Sequence, residues 1–240
     1  MRNSAPPFAF VDAAGKPSGF SWDLCQGVVR VLSEKLKTPL EIKVVPVSLA
    51  ESFDLLRTGK IDMQCGSTTH TKEREAQVDF SYTFFVSGIV TAYRTDEVQY
   101  ANPTEFGRVG ALEGSTAGKA VAAPAKAMLQ SNLKEVVSFP SYAEGINMLK
   151  AGKIDTLVAD GALLPLDPAV AVRKQQLTVE PYALMMRKND KAFVQAVDAA
   201  LAGLMRGGLD AMAAKAKLRA GYMTRDVWRQ PDKTPAPPQF

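Results

Sequence analysis

The sequence predicts an α/β protein of two related lobes, with a ligand cleft where their strand exits face each other. Three observations carry that expectation: an internal repeat, alternating helix and strand periodicities, and two extended segments suited to cross between lobes. The repeat sets residues 50–62 (AESFDLLRTGKID) against 143–155 (AEGINMLKAGKID), gap-free at an offset of 93, which is 143 minus 50. Each copy reads as a short amphipathic helix, a glycine able to take the left-handed C-cap conformation, and a strand. Helix, glycine and strand form a common unit, but both copies share Gly-Lys-Ile-Asp, which favours two related lobes over coincidence.

Taken in order, Leu24, Val28, Val31, Leu32 and Leu36 recur at helical spacing, and Pro39 stops that helix. Residues 41–48 alternate and are rich in valine, so they read as a strand. The repeat strands are expected at 61–65 and 154–159. Segments 84–93 and 182–187 look like the extended crossings. Residues 193–204 form an amphipathic helix, with apolar Phe193, Val194, Val197, Ala200 and Leu201. The expected division is 1–91 with 186–228 as lobe one, 92–185 as lobe two, and 229–240 as a proline-rich C-terminal tail.

Composition narrows the function. The 240 residues include 46% apolar and 22% charged types, as in an ordinary globular protein, and the net charge of +4 is mild. No Lys/Arg block points to nucleic acid or an anionic membrane. The longest apolar runs fall far short of the roughly 20 residues a membrane span needs. Met1 is followed at once by Arg2-Asn3-Ser4, so no signal peptide is visible and the compartment stays open. One histidine and two cysteines cannot complete a structural zinc site of four nitrogen and sulfur ligands, and nothing calls for a cofactor. Cys25 and Cys65 permit one disulfide without demanding it.

The densest chemistry is CGSTTHTKER, residues 65–74. No G-x-S-x-G elbow surrounds Ser67, so a Ser67–His70 hydrolase is disfavoured, and His70 reads as a solvated or capping side chain near a helix start. Residues 113–120 (EGSTAGKA) miss a phosphate loop at the first glycine and at Ala120. What survives there is a strand end, Gly-Ser-Thr and a helix start, whose backbone N–H groups suit a carboxylate. Arg74 can grip a carboxylate bidentately, with the Ser67 and Thr69 hydroxyls as further donors. The repeat offset pairs Ser67 with Asp160, which would hold an ammonium. A carboxylate grip in one lobe and an ammonium grip in the other describe an α-amino acid. The plainer alternative is that Arg74 and Asp160 make surface ion pairs.

On these segments, with RNSAPPF (2–8), GFSWDLC (19–25), Phe80-Ser81 and Ala159-Asp160, the chain resembles the type II periplasmic substrate-binding proteins of polar amino-acid ABC transporters. Within that family it looks most like the glutamate/aspartate-binding group. The resemblance implies that Ser67, Thr69 and Arg74 hold the α-carboxylate, that Ser115 and Thr116 close on it, and that Asp160 takes the α-ammonium. It implies that Arg2 selects an acidic ligand side chain and that Tyr142 supplies a further polar contact. Leu49 and Ser52 stand where acidic-ligand relatives can add a serine and an arginine, which thins the cationic set. The family pattern places a first strand before the Arg2 position, so the expectation is either a lobe-one sheet without that strand or a sequence that starts after it. Paired cysteines occur at such places in relatives, so a Cys25–Cys65 bond is expected if the protein is exported.

The expectation is therefore a monomeric, non-enzymatic periplasmic binding protein that captures an acidic amino acid, closes about hinges near 90–94 and 183–187, and is read by a membrane permease. A dehydratase-like enzyme on the same fold is the rival, with Glu113, Glu144 and His70 as its candidate acids. An amino-acid sensor domain is the third reading.

Overall fold

The computed structural model describes residues 1–122, 132–218, 221–224 and 227–230. Among the described residues the chain divides into two compact units, one of Met1–Val86 with those from Pro181 on, the other of Ser87–Glu180. From sequence the divisions are expected at 91/92 and 185/186. The proline-rich stretch from Pro231 lies outside the described residues. Among the described residues no helix is long and apolar enough to cross a membrane.

From the N-terminus the elements are β1 (Ser4–Ala5), β2 (Ala9–Val11), β3 (Pro17–Ser18), α1 (Phe20–Leu36), α2 (Leu49–Arg57), β4 (Met63–Thr69), α3 (Lys72–Glu75), β5 (Val78–Phe80) and β6 (Phe85–Ser87). The second unit holds β7 (Ile89–Arg94), β8 (Gly107–Leu112), α4 (Thr116–Ala122), β9 (Leu133–Phe139), α5 (Tyr142–Lys150), β10 (Thr156–Asp160) and β11 (Val170–Val172). β12 (Glu180–Arg187), whose first residue belongs to the second unit, is followed by α6 (Lys191–Gly207), α7 (Asp210–Lys215) and β13 (Tyr222–Met223), which complete the first unit.

In the first unit β1–β3 form a small antiparallel sheet, and a second sheet runs β13-β6-β12-β4, with β5 also on β12. Leu56, Ile61, Val78, Phe80, Ala183 and Met185 make a core cluster beneath it. In the second unit the order is β11-β7-β10-β8-β9, with β8 parallel to both its neighbours and β7 antiparallel. Parallel strands need crossovers, and α5 supplies the one that carries the chain from β9 to β10 on the other side of β8.

The repeat is structural down to its hydrogen bonds. Ser48 caps α2 and Ser141 caps α5, each accepting from the N–H three residues on. Gly59 (φ 68°) and Gly152 (φ 67°) both turn left-handed. Gly59 N–H donates to Leu56 O and Lys60 N–H to Leu55 O, while Gly152 and Lys153 donate to Leu149 O and Met148 O. This is one Schellman motif used twice. β4 and β10 begin at Met63 and Thr156, again at the repeat spacing.

Two expected elements differ. Residues 41–48 form no strand; their one ladder contact is the parallel bridge of Arg2 with Val47. Alternation reports which side chains are covered, whereas a strand needs a partner, and here the partner is limited to Met1–Asn3. The first repeat strand runs to Thr69 rather than ending at Cys65, because Thr68 and Thr69 pair with Ala183 and Tyr182.

Candidate functional site

In the first unit the candidate residues gather on and beside β4. Side chains alternate along a strand, so Cys65, Ser67 and Thr69 share one face, and Gln64, Gly66 and Thr68 the other. A disulfide joins Cys65 to Cys25 of α1, with Cα atoms 6.2 Å apart, and ties the first face to that helix. The Ser67 hydroxyl is buried and has no hydrogen-bond partner among the described residues. Thr71 caps the single turn of α3, its hydroxyl accepting from Arg74 N–H at 3.2 Å. That turn brings the buried Arg74 back to the strand end, where Nη1 donates to Thr69 O at 2.9 Å. The guanidinium also lies 5.9 Å from the centre of the Phe53 ring. Arg2 is buried beside the same strand, its N–H donating to Cys65 O at 3.0 Å.

His70 is neither solvated nor a cap. It is buried, stacks on Phe80 at 4.2 Å, and its Nε2 lies 2.7 Å from Glu75 Oε1. Its N–H donates to Pro181 O at 2.8 Å, so the residue braces the end of β4. A single polar residue beside a helix start is ambiguous in sequence, and the aromatic partner that buries it lies ten residues on.

In the second unit Ser115, Thr116, Tyr142 and Asp160 all lie at the carboxyl ends of the parallel strands β8, β9 and β10. A turn through Gly114 (φ 68°) follows β8. The Ser115 hydroxyl then donates to Leu112 O at 2.6 Å and accepts from Gly118 N–H at 3.1 Å. Thr116 Oγ1 donates to Glu180 Oε2 at 2.7 Å. Glu180 carried no local signal in the sequence, being 64 residues from Thr116. Asp160 is the last residue of β10, buried and paired in register with Ile89. Tyr142 opens α5, buried with its ring 6.3 Å from that of Phe139. Among the described residues no group of three or more His, Cys, Asp or Glu is placed to hold a metal.

Carboxyl ends of parallel strands are where open α/β sheets receive ligands. Residues 1–216 match the model of the bacterial extracellular solute-binding proteins, family 3. The chain belongs to that family. Its fold is that of the type II periplasmic binding proteins. The chain is 31% identical over 219 residues to the L-glutamate/L-aspartate-binding protein of Pseudomonas aeruginosa, covering 86% of this chain and 71% of that protein. It is 28% identical over 217 residues to the glutamate/aspartate import solute-binding protein of Escherichia coli, with the same coverage of 86% and 71%. A solved ancestral arginine-binding protein, bound to arginine, superposes with a TM-score of 0.73 at 27% identity, over 89% of this chain and 95% of that one. The chain is thus similar to proteins whose named ligands carry opposite side-chain charges.

Proposed function

We propose that the chain is a periplasmic binding protein for a polar, acidic L-amino acid of the glutamate or aspartate kind, delivered as a monomer to an ABC permease without catalysis. The observation that carries this reading is on β4. A buried arginine is fixed against the Thr69 carbonyl by a hydrogen bond, while Ser67, two residues earlier on the strand, holds a buried hydroxyl with no protein partner among the described residues. One fixed cation beside an unpaired donor is a grip for a carboxylate. In the second unit Asp160 is assigned the ammonium, with Ser115, Thr116 and Tyr142 as neighbouring contacts. Arg2, a buried cation beside the grip, supports an acidic ligand side chain. The relatives named for glutamate and aspartate support the same choice.

The non-enzymatic reading is supported by relatives named as binding proteins and by the chemistry of the candidate acids. His70 is packed on Phe80, and Glu113 and Glu144 are exposed, the latter on α5. A thermal-shift screen against the twenty amino acids and small dicarboxylates tests the ligand. A ligand at a hundredfold over its Kd adds about 2.7 kcal/mol of apparent stability. Glutamate or aspartate should raise the melting temperature; a response to arginine or lysine alone overturns the role of Arg2. Arg74→Ala and Asp160→Ala should each cost about 2–5 kcal/mol of affinity, because each leaves a ligand charge buried and unpaired. Unchanged affinity by calorimetry in both variants would sink the site.

A further inference from the structure

Strand β4 contains one glycine, Gly66, and its φ is not in the left-handed region, so the backbone does not require it. Space does. A methyl group added at Gly66 would lie 2.5 Å from Arg2 Cγ, and 3.1 and 3.2 Å from Gln64 Nε2 and Oε1. The stem of Arg2 therefore lies across β4 at the one position without a side chain. Cγ is near the root of the arginine, so it cannot swing aside as a chain end could. The root is itself held, with Arg2 N–H on Cys65 O at 3.0 Å and Arg2 bridged to Val47. The Gln64 wall is held as well: that residue is wholly buried, and its Oε1 accepts from Thr68 Oγ1 at 3.2 Å.

We infer that Gly66 is a positioning residue for ligand selection, a notch walled by Gln64 that seats the Arg2 stem and so aims its guanidinium. The inference rests on the proposed function, in which Arg2 reads the charge of the ligand side chain. It adds that selectivity depends on a residue that touches no ligand. Overpacking the notch should drive Arg2 out of position, with an effect of roughly tenfold on binding that depends on it.

The test is a double-mutant cycle read as the ratio of glutamine to glutamate dissociation constants, with melting temperature measured in parallel. Gly66→Ala should weaken glutamate by roughly tenfold and leave glutamine within about threefold, so the ratio collapses. In an Arg2→Ala background, which removes Cγ, the same Gly66→Ala change should leave the ratio where Arg2→Ala alone puts it. A merely structural glycine would weaken both ligands alike and lower the melting temperature equally in both backgrounds; that result overturns the inference. If Gly66→Ala alone fails to fold, recovery of folding in the Arg2→Ala/Gly66→Ala protein supports the notch and its absence refutes it. A wild type that prefers glutamate, with that preference untouched by Gly66→Ala, overturns the inference alone. A wild type that binds no acidic amino acid overturns the underlying reading too.

Discussion

The Ser67 hydroxyl is buried on β4 with no hydrogen-bond partner among the described residues, a state that costs about 1–3 kcal/mol in a folded chain. Ser67→Ala should therefore leave unliganded stability unchanged or slightly raised. On the proposed function the same change removes a donor to the ligand carboxylate, and it should weaken binding by about tenfold. Thermal unfolding without ligand and calorimetry with it separate the two effects; lost unliganded stability would contradict the assignment. Ser67, Thr69 and Arg74 stand out in the sequence as carboxylate-gripping residue types packed into ten residues, but their placement on and beside β4 does not, because the strand continues past Cys65 only by pairing with Tyr182 and Ala183. The burial of His70 was not legible, since it depends on the ring of Phe80 across the loop. Gly66 was silent as well, because only folding brings Arg2 Cγ against it.

At the level of elements, the two Schellman glycines isolate conformational cost from packing. A Cβ at Gly59 meets nothing within 4 Å, so Gly59→Ala should cost about 1–2 kcal/mol through the left-handed backbone alone. Gly59→Asn should recover part of that loss in a urea titration. The repeat ends in aspartate in both copies, yet the two aspartates differ. Asp62 is exposed and pairs with Arg187, so its replacement should change stability by only about 0–1 kcal/mol. Asp155 is buried, where it accepts from both the side chain and the N–H of Arg108. The Arg108 side-chain hydrogen bonds hold its carboxyl below the usual carboxylate range, against the opposing effect of burial. A lowered folded value means that Asp155 stabilises above the ordinary carboxylate range and loses that contribution as pH falls through its folded value, below about pH 4. Melting temperatures from pH 7 down to 3 should fall less steeply for Asp155→Asn than for the wild type. Helix, glycine cap and strand of each copy were readable from sequence. The ladder of 41–48 was not, because alternation does not supply a partner strand.

For the molecule as a whole, the chain leaves the first unit at Val86 and re-enters it at Pro181, so that unit is built from two separate segments. Its only covalent staple is Cys25–Cys65, which spans 40 residues. Closing a loop of that length is worth about 4 kcal/mol on the chain-entropy account. Reduction should lower the melting temperature, and calorimetry should show the loss in the first unit, since residues 87–180 contain no cysteine. An unchanged trace after complete reduction would refute the contribution. By itself the sequence determined the α/β class, the repeat with its caps and glycines, and the residue types able to grip an amino acid. These follow from period, turn chemistry and spacing, which are local. Only the tertiary structure decided where the units divide, that His70 is a brace, that Glu180 meets Thr116, and that Arg2 rests in a notch at Gly66. Each of those depends on a close approach between residues distant in the chain, and steric fit at such contacts is set by folding rather than by pattern.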